Sequence, residues 1–137
     1  FKKGQIFKPE MDQIIEERYR LEKKLINENF REKNVLIISS DDTYLLHLTN
    51  KSSLLNINPL TGIISKKDLE FSLQKVYQLC PKKIAVDCNA IGNCPFEWKL
   101  NYYVYPYQTI LDQINQHCHL QYRPKMCTSQ LCIVVAN

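Results

Sequence analysis

A chain of 137 residues with 45% hydrophobic and 23% charged residues is neither disordered nor fibrous, and its length fits one domain with one shared core. Eighteen Lys plus Arg against 14 Asp plus Glu leave a formal net charge of +4, too small an excess for a nucleic-acid footprint. The basic residues are interleaved with acids, as in Glu16-Glu17-Arg18-Tyr19-Arg20-Leu21-Glu22-Lys23-Lys24, which is the pattern of a solvated helix face. The longest apolar run, Leu131 to Ala136, is far short of the roughly 20 residues that span a bilayer.

Pro9 to about Phe30 reads as a long amphipathic lead-in helix, with Met11, Ile14, Ile15, Tyr19, Leu25, Ile26 and Phe30 at three- and four-residue intervals. Val35-Leu36-Ile37-Ile38 is continuously apolar, which predicts a strand buried on both faces in the middle of a parallel sheet. Ser39-Ser40-Asp41-Asp42-Thr43 follows, rich in helix-capping residues, and Tyr44 to Leu48 reads as a short helix. Leu54 to Ile57 is expected to be a second strand, closed by turn signals at Asn58-Pro59 and Thr61-Gly62.

Ser65 with Asp68 three residues later resembles a capping box, and Leu69, Leu73, Val76, Tyr77 and Cys80 line one face of the helix it opens. Pro81 ends that helix. Lys83 to Asp87 is another buried-type strand, and Pro106 starts a helix with Tyr107, Ile110, Leu111, Ile114 and Cys118 on its apolar face. Leu120 to Tyr122 and Leu131 to Val135 are the remaining expected strands. The alternation predicts a single soluble α/β domain over 1–137. Residues 1–33 form the lead-in helix, and 34–137 form a Rossmann-like three-layer α/β/α sandwich with a mostly parallel sheet.

Six cysteines, Cys80, Cys88, Cys94, Cys118, Cys127 and Cys132, all lie in the C-terminal half and form no C-x-x-C pair. Bridging Cys88 to Cys94 is sterically easy across a turn containing Gly92. The other four allow three pairings, of which Cys118 with Cys127 or Cys132 is preferred. A zinc site using His117, Cys118, His119 and a later cysteine is the rival reading. Disulfides place the chain in an oxidising, extracytoplasmic compartment such as a periplasm. The opening Phe1-Lys2-Lys3-Gly4 and the lack of a signal-peptide core imply an excised fragment of a larger protein.

Two groups of residues are candidate ligand sites. At the carboxyl edge of the expected sheet, Ser39, Ser40, Asp41, Asp42 and Asp87 could hold a metal or act as acid and base, although capping of the next helix by these Ser and Asp residues is the stronger reading. On the capping reading, Asn at position 41 or 42 changes stability little. Between Pro95 and Tyr107, Phe96, Trp98, Tyr102, Tyr103, Tyr105 and Tyr107 concentrate amphipathic rings suited to a glycan, headgroup or partner surface, or to filling a core. No Walker loop, dinucleotide fingerprint or nucleophile elbow occurs in a chain with three glycines, so no catalytic residue and no cofactor are assigned.

The lead-in helix, Val35 to Tyr44, the helix ending Tyr77-Gln78-Leu79-Cys80-Pro81, Ile84 to Asp87, and the late helix before a terminal strand together resemble a known architecture. It is the C-terminal extracytoplasmic domain of polytopic membrane glycosyltransferases that use polyprenyl-phosphate sugars, such as the dolichyl-phosphate-mannose-dependent family. The resemblance covers most of residues 10 to 135, and the cysteine-rich stretch from Cys88 to Tyr107 departs from it. It implies an accessory domain tethered to a membrane through segments not in this chain. Such a domain caps the active site or holds acceptor glycan or polyprenyl-linked sugar, with the transmembrane region of the same parent as partner and no catalysis of its own. A freestanding secreted glycan- or protein-binding module is the alternative. A small divalent-cation-dependent enzyme using Asp41, Asp42 and Asp87 is the second.

Overall fold

A computed structural model describes residues 13–92 and 107–136. Residues 13–18 are helical and run through Tyr19 into α1 (Arg20–Asn29), because Tyr19 N–H reaches the Ile15 carbonyl at 3.0 Å and Lys23 N–H reaches that of Tyr19 at 2.8 Å. The described part of the lead-in helix follows the expected periodicity at Tyr19, Leu25, Ile26 and Phe30, which are buried, but Ile14, expected on the same face, is exposed. Next come β1 (Asn34–Val35), β2 (Ile37–Ile38), α2 (Asp42–Thr49) and β3 (Ser52–Ser53). A 3-10 turn (Leu60–Gly62), α3 (Lys66–Ser72), α4 (Gln74–Leu79) and β4 (Lys83–Asp87) follow. Another 3-10 turn (Cys88–Ile91) leads to Gly92, and α5 (Tyr107–Cys118), β5 (Tyr122–Cys127) and β6 (Leu131–Ala136) complete the described elements.

The expected Rossmann-like three-layer sandwich with a mostly parallel sheet does not form. There are two small sheets, a parallel pair of β1 with β3 and a mixed sheet in the order β2-β4-β6-β5. Parallel pairing is confined to β1–β3 and β2–β4, with two registered residue pairs each, whereas β4–β6 and β5–β6 are antiparallel with five each. The reason is the connection between β5 and β6. Residues 128–130 are enough for a hairpin, whereas a parallel neighbour needs a crossover of a dozen residues or more. The run from Val35 to Ile38 is also not one central strand. It divides at Leu36, so that Val35 registers with Ser53 on one side while Ile37 and Ile38 register with Ala85 and Val86 on the other.

Two further expectations fail locally. Leu54 to Ile57 is not a strand, because the chain turns toward α3, with Asn56 N–H on the Ser72 carbonyl at 3.1 Å and Ile57 N–H on Ser72 Oγ at 3.3 Å. The strand expected at Leu120 to Tyr122 instead runs from Tyr122 to Cys127 and contains Pro124. Proline is tolerated because β5 is an edge strand, and a register irregularity separates Pro124 from Met126.

Alternation along the strands divides the core in two. Ile84, Val86, Cys132 and Val134 join Leu69, Val76, Ile110 and Ile114 from α3, α4 and α5, and Leu73 at the junction of α3 and α4. Ala85, Leu131 and Ile133 face the other way, against Tyr19, Leu25, Ile26, Leu45 and Leu46 from the N-terminal helix and α2. The Ser65–Asp68 capping box is present in both directions, at 3.1 Å and 3.0 Å.

The bridges are Cys80–Cys118 and Cys127–Cys132, not Cys118 with Cys127 or Cys132. α4 packs beside α5, so Cys80 at the end of the first meets Cys118 at the end of the second, with Cα atoms 5.6 Å apart. Cys127 and Cys132 are registered partners across the hairpin. Cys88 is disulfide-bonded as well, and its expected partner Cys94 lies outside the described residues. Bridges of this kind belong to an oxidising, extracytoplasmic environment. Among the described residues no helix is long and apolar enough to cross a membrane.

Candidate functional site

The carboxyl ends of β2 and β4 lie side by side, which brings the polar residues that follow them together. Ser39 is buried, its Oγ accepts the Asp41 N–H at 3.1 Å, and its carbonyl accepts the Asp42 N–H at 3.2 Å. Ser40 is exposed, but its backbone N–H donates to the Tyr107 hydroxyl at 2.9 Å, pinning the first turn of α5 to this edge.

The two neighbouring aspartates do different work. Asp41 occupies the N-cap position of α2 without a side-chain capping bond, and its side chain turns into a narrow cleft. Asp42 is fully buried: Oδ1 accepts the Thr43 N–H at 2.8 Å and Oδ2 accepts the Leu60 N–H at 2.8 Å. Burial pushes its carboxyl up to about 6 despite those bonds. Asp42 thus ties down the loop at Leu60, so its expected equivalence with Asp41 as a helix cap is corrected.

Asp87 closes β4 and caps the 3-10 turn after it. Its Oδ1 accepts both the Asn89 backbone N–H and the Asn89 side-chain amide, each at 2.9 Å. Burial raises its pKa, the bonds to Asn89 oppose that rise, and the charge of Asp41 adds to it.

The cleft is lined by Tyr19, Glu22, Ser39, Asp41, Asp87 and Gln130, together with the apolar Leu45 and Leu131. Ser40 and Asp42 do not line it, so the expected cluster of Ser40, Asp41, Asp42 and Asp87 separates into two surfaces. The Tyr19 hydroxyl is pushed up to about 12 by burial and by the adjacent Asp41 charge. Trp98, Tyr102, Tyr103 and Tyr105 lie outside the described residues. The described residues on either side of that segment both belong to this edge, the 3-10 turn after Asp87 on one side and Tyr107 on the other.

Sequence reasoning missed Tyr19 and Glu22 as site residues, having placed Glu22 on the solvated face. Their spacing held the signal, since Tyr19, Glu22 and Ile26 follow at intervals of three and four and so share the face that docks on the sheet.

The zinc alternative also fails on geometry. Cys118 is consumed in a bridge, and the His117 ring stacks on Tyr77 with centroids 3.9 Å apart. Among the described residues no three His, Cys, Asp or Glu side chains are placed to hold a metal ion.

No family model, curated protein or solved structure matches this chain.

Proposed function

We propose that the chain is an extracytoplasmic, non-catalytic binding domain that holds a glycan at the edge formed by the ends of β2 and β4. The observation that carries this reading is the bond between Ser40 and Tyr107, which brings the end of the aromatic segment 95–107 to the carboxylates of that edge. Rings with polar tips stack on sugar faces and carboxylates accept sugar hydroxyls, and that chemistry supports the glycan reading. The same edge is poorly suited to cation-dependent catalysis, because Asp42 and one oxygen of Asp87 already accept hydrogen bonds from the chain itself.

In the form implied by the residue succession, the domain belongs to a membrane glycosyltransferase that uses polyprenyl-phosphate sugars. It is tethered beside the membrane and holds acceptor for a catalytic centre elsewhere in the parent. A secreted module with the same binding edge would differ only in that tether.

The test is a glycan array probed with wild type and with Trp98→Ala, together with denaturant melts of both. Retention of a defined oligosaccharide class, weakened by Trp98→Ala at nearly unchanged stability, is the expected outcome. The reading is overturned if no glycan is retained, or if the substitution costs about 3–5 kcal/mol as a core ring would and leaves binding unaltered.

A further inference from the structure

Asn50-Lys51-Ser52 is the one place in this sequence where an asparagine is followed two residues on by serine or threonine, with a residue other than proline between. That tripeptide is the acceptor pattern for N-linked glycosylation, a modification of exported chains at asparagines on the surface. The disulfides meet the first condition. The fold meets the second.

α2 ends at Thr49, and Asn50 takes the left-handed conformation that closes it, with φ 52° and ψ 46°. Its N–H reaches the His47 carbonyl at 3.2 Å, and the Lys51 N–H reaches that of Leu46 at 2.9 Å. Lys51 then turns its ammonium onto the carbonyls of Phe30 and Glu32, at 3.1 Å and 2.7 Å, and the Ser52 N–H meets the Lys33 carbonyl at 2.9 Å. The backbone is thus fastened while Asn50 and Ser52 are both exposed. Neither the Asn50 amide nor the Ser52 hydroxyl is engaged in a hydrogen bond among the described residues. Helix closure accounts for an asparagine at position 50, since Asn adopts this conformation more readily than most residues and Gly more readily still. It gives no reason for an exposed hydroxyl two residues later.

Ser52 registers with Asn34 at the start of β1, so the tripeptide lies at the amino end of the strands, opposite the carboxyl edge that carries Asp41 and Asp87. The eight residues of α2, about 12 Å of helix, separate Asn50 from Asp41. Sugars attached here neither enter the core nor cover that edge.

We propose that Asn50 carries an N-linked oligosaccharide. The donor is of the isoprenoid-diphosphate oligosaccharide class. Nδ2 of Asn50 forms a bond to C1 of the first sugar, the bond from C1 to the diphosphate oxygen breaks with its electron pair leaving on the diphosphate, and the amide gives up one proton. The Ser52 hydroxyl is the group that the transferase recognises, and it is left unaltered. The site stands on the disulfides and on the geometry around Asn50, whether or not the chain itself binds a glycan.

The experiment passes the chain through a eukaryotic secretory pathway and takes intact and peptide masses from the medium and from the lumenal fraction, before and after treatment with a peptide N-glycosidase. A ladder of hexose-spaced masses that collapses on treatment, with residue 50 converted to Asp, is the expected result. Ser52→Ala should abolish the ladder and Ser52→Thr should retain it. Asn50→Gly, which keeps the left-handed closure of α2, should also abolish it, with a melting temperature close to that of the enzyme-treated wild type. A chain unmodified at Asn50 in both fractions overturns the proposal, and so does a glycan that survives Ser52→Ala or sits on another residue.

Discussion

Asp42 reaches 18 residues along the sequence to accept the backbone N–H of Leu60 at 2.8 Å, in a position closed to water. The loop before α3 is thereby fastened to the first turn of α2 by a carboxylate that would rather be protonated.

A pH dependence follows from that pairing. The folded-state pKa of Asp42 is pushed up to about 6 from the usual 3.8, so between those values the folded chain binds the proton more tightly than the unfolded chain does. Its contribution to stability is complete below the lower value and is lost as pH rises through about 6, by about 3 kcal/mol across the window. Denaturant melts between pH 4 and pH 7 should show this loss, and Asp42→Asn should remove that part of the slope. Because the amide cannot accept at both oxygens, the same substitution should cost about 1–3 kcal/mol at pH 5. Asp41→Asn should leave stability almost unchanged, and a comparable loss at both positions would contradict the division of roles.

The bridges should contribute unequally. Cys80–Cys118 spans 38 residues and Cys127–Cys132 spans 5. On the chain-entropy account these close loops worth about 4 and about 2 kcal/mol. Replacing each pair by serine and comparing denaturant midpoints checks the order, and equal losses would contradict it. A thiol assay on unfolded, unreduced protein should find no free thiols, because Cys88 is bonded as well as the four cysteines of the two bridges.

Tyr107 anchors α5 in two ways, with a buried ring and a hydroxyl that accepts from Ser40. Tyr107→Phe should cost about 1 kcal/mol through the lost hydrogen bond, while Tyr107→Ala should cost about 3–5 kcal/mol through the cavity. Hydrogen exchange at the Ser40 amide should accelerate in the Phe variant, and an unchanged rate would show that the hydroxyl protects nothing there.

The capping box offers a local control. Ser65→Ala should lower stability by about 1 kcal/mol, and Ser65→Asp should retain most of it, as measured by thermal melts. A loss of several kcal/mol would mean that Ser65 does more than cap α3.

Local pattern was enough for the helices. The periodicity of Ile15, Tyr19, Leu25 and Ile26, the box at Ser65 and Asp68, and the stripe from Tyr107 to Cys118 each record a preference that needs only neighbouring residues. Lys83 to Asp87 and the strand from Leu131 were legible for the same reason, since a short β-branched run bounded by turns has few alternatives.

Only the tertiary structure decided how the strands pair, because pairing direction depends on which distant segment lies alongside, and a buried run reads alike in parallel and antiparallel sheets. That choice set Cys127 opposite Cys132, while the packing of α4 beside α5, equally a tertiary matter, brought Cys80 to Cys118. It also separated two adjacent aspartates. In sequence Asp41 and Asp42 are equivalent, but successive residues entering a helix point about 100° apart, so one carboxylate turns into the cleft with Glu22 and the other into the core with Leu60.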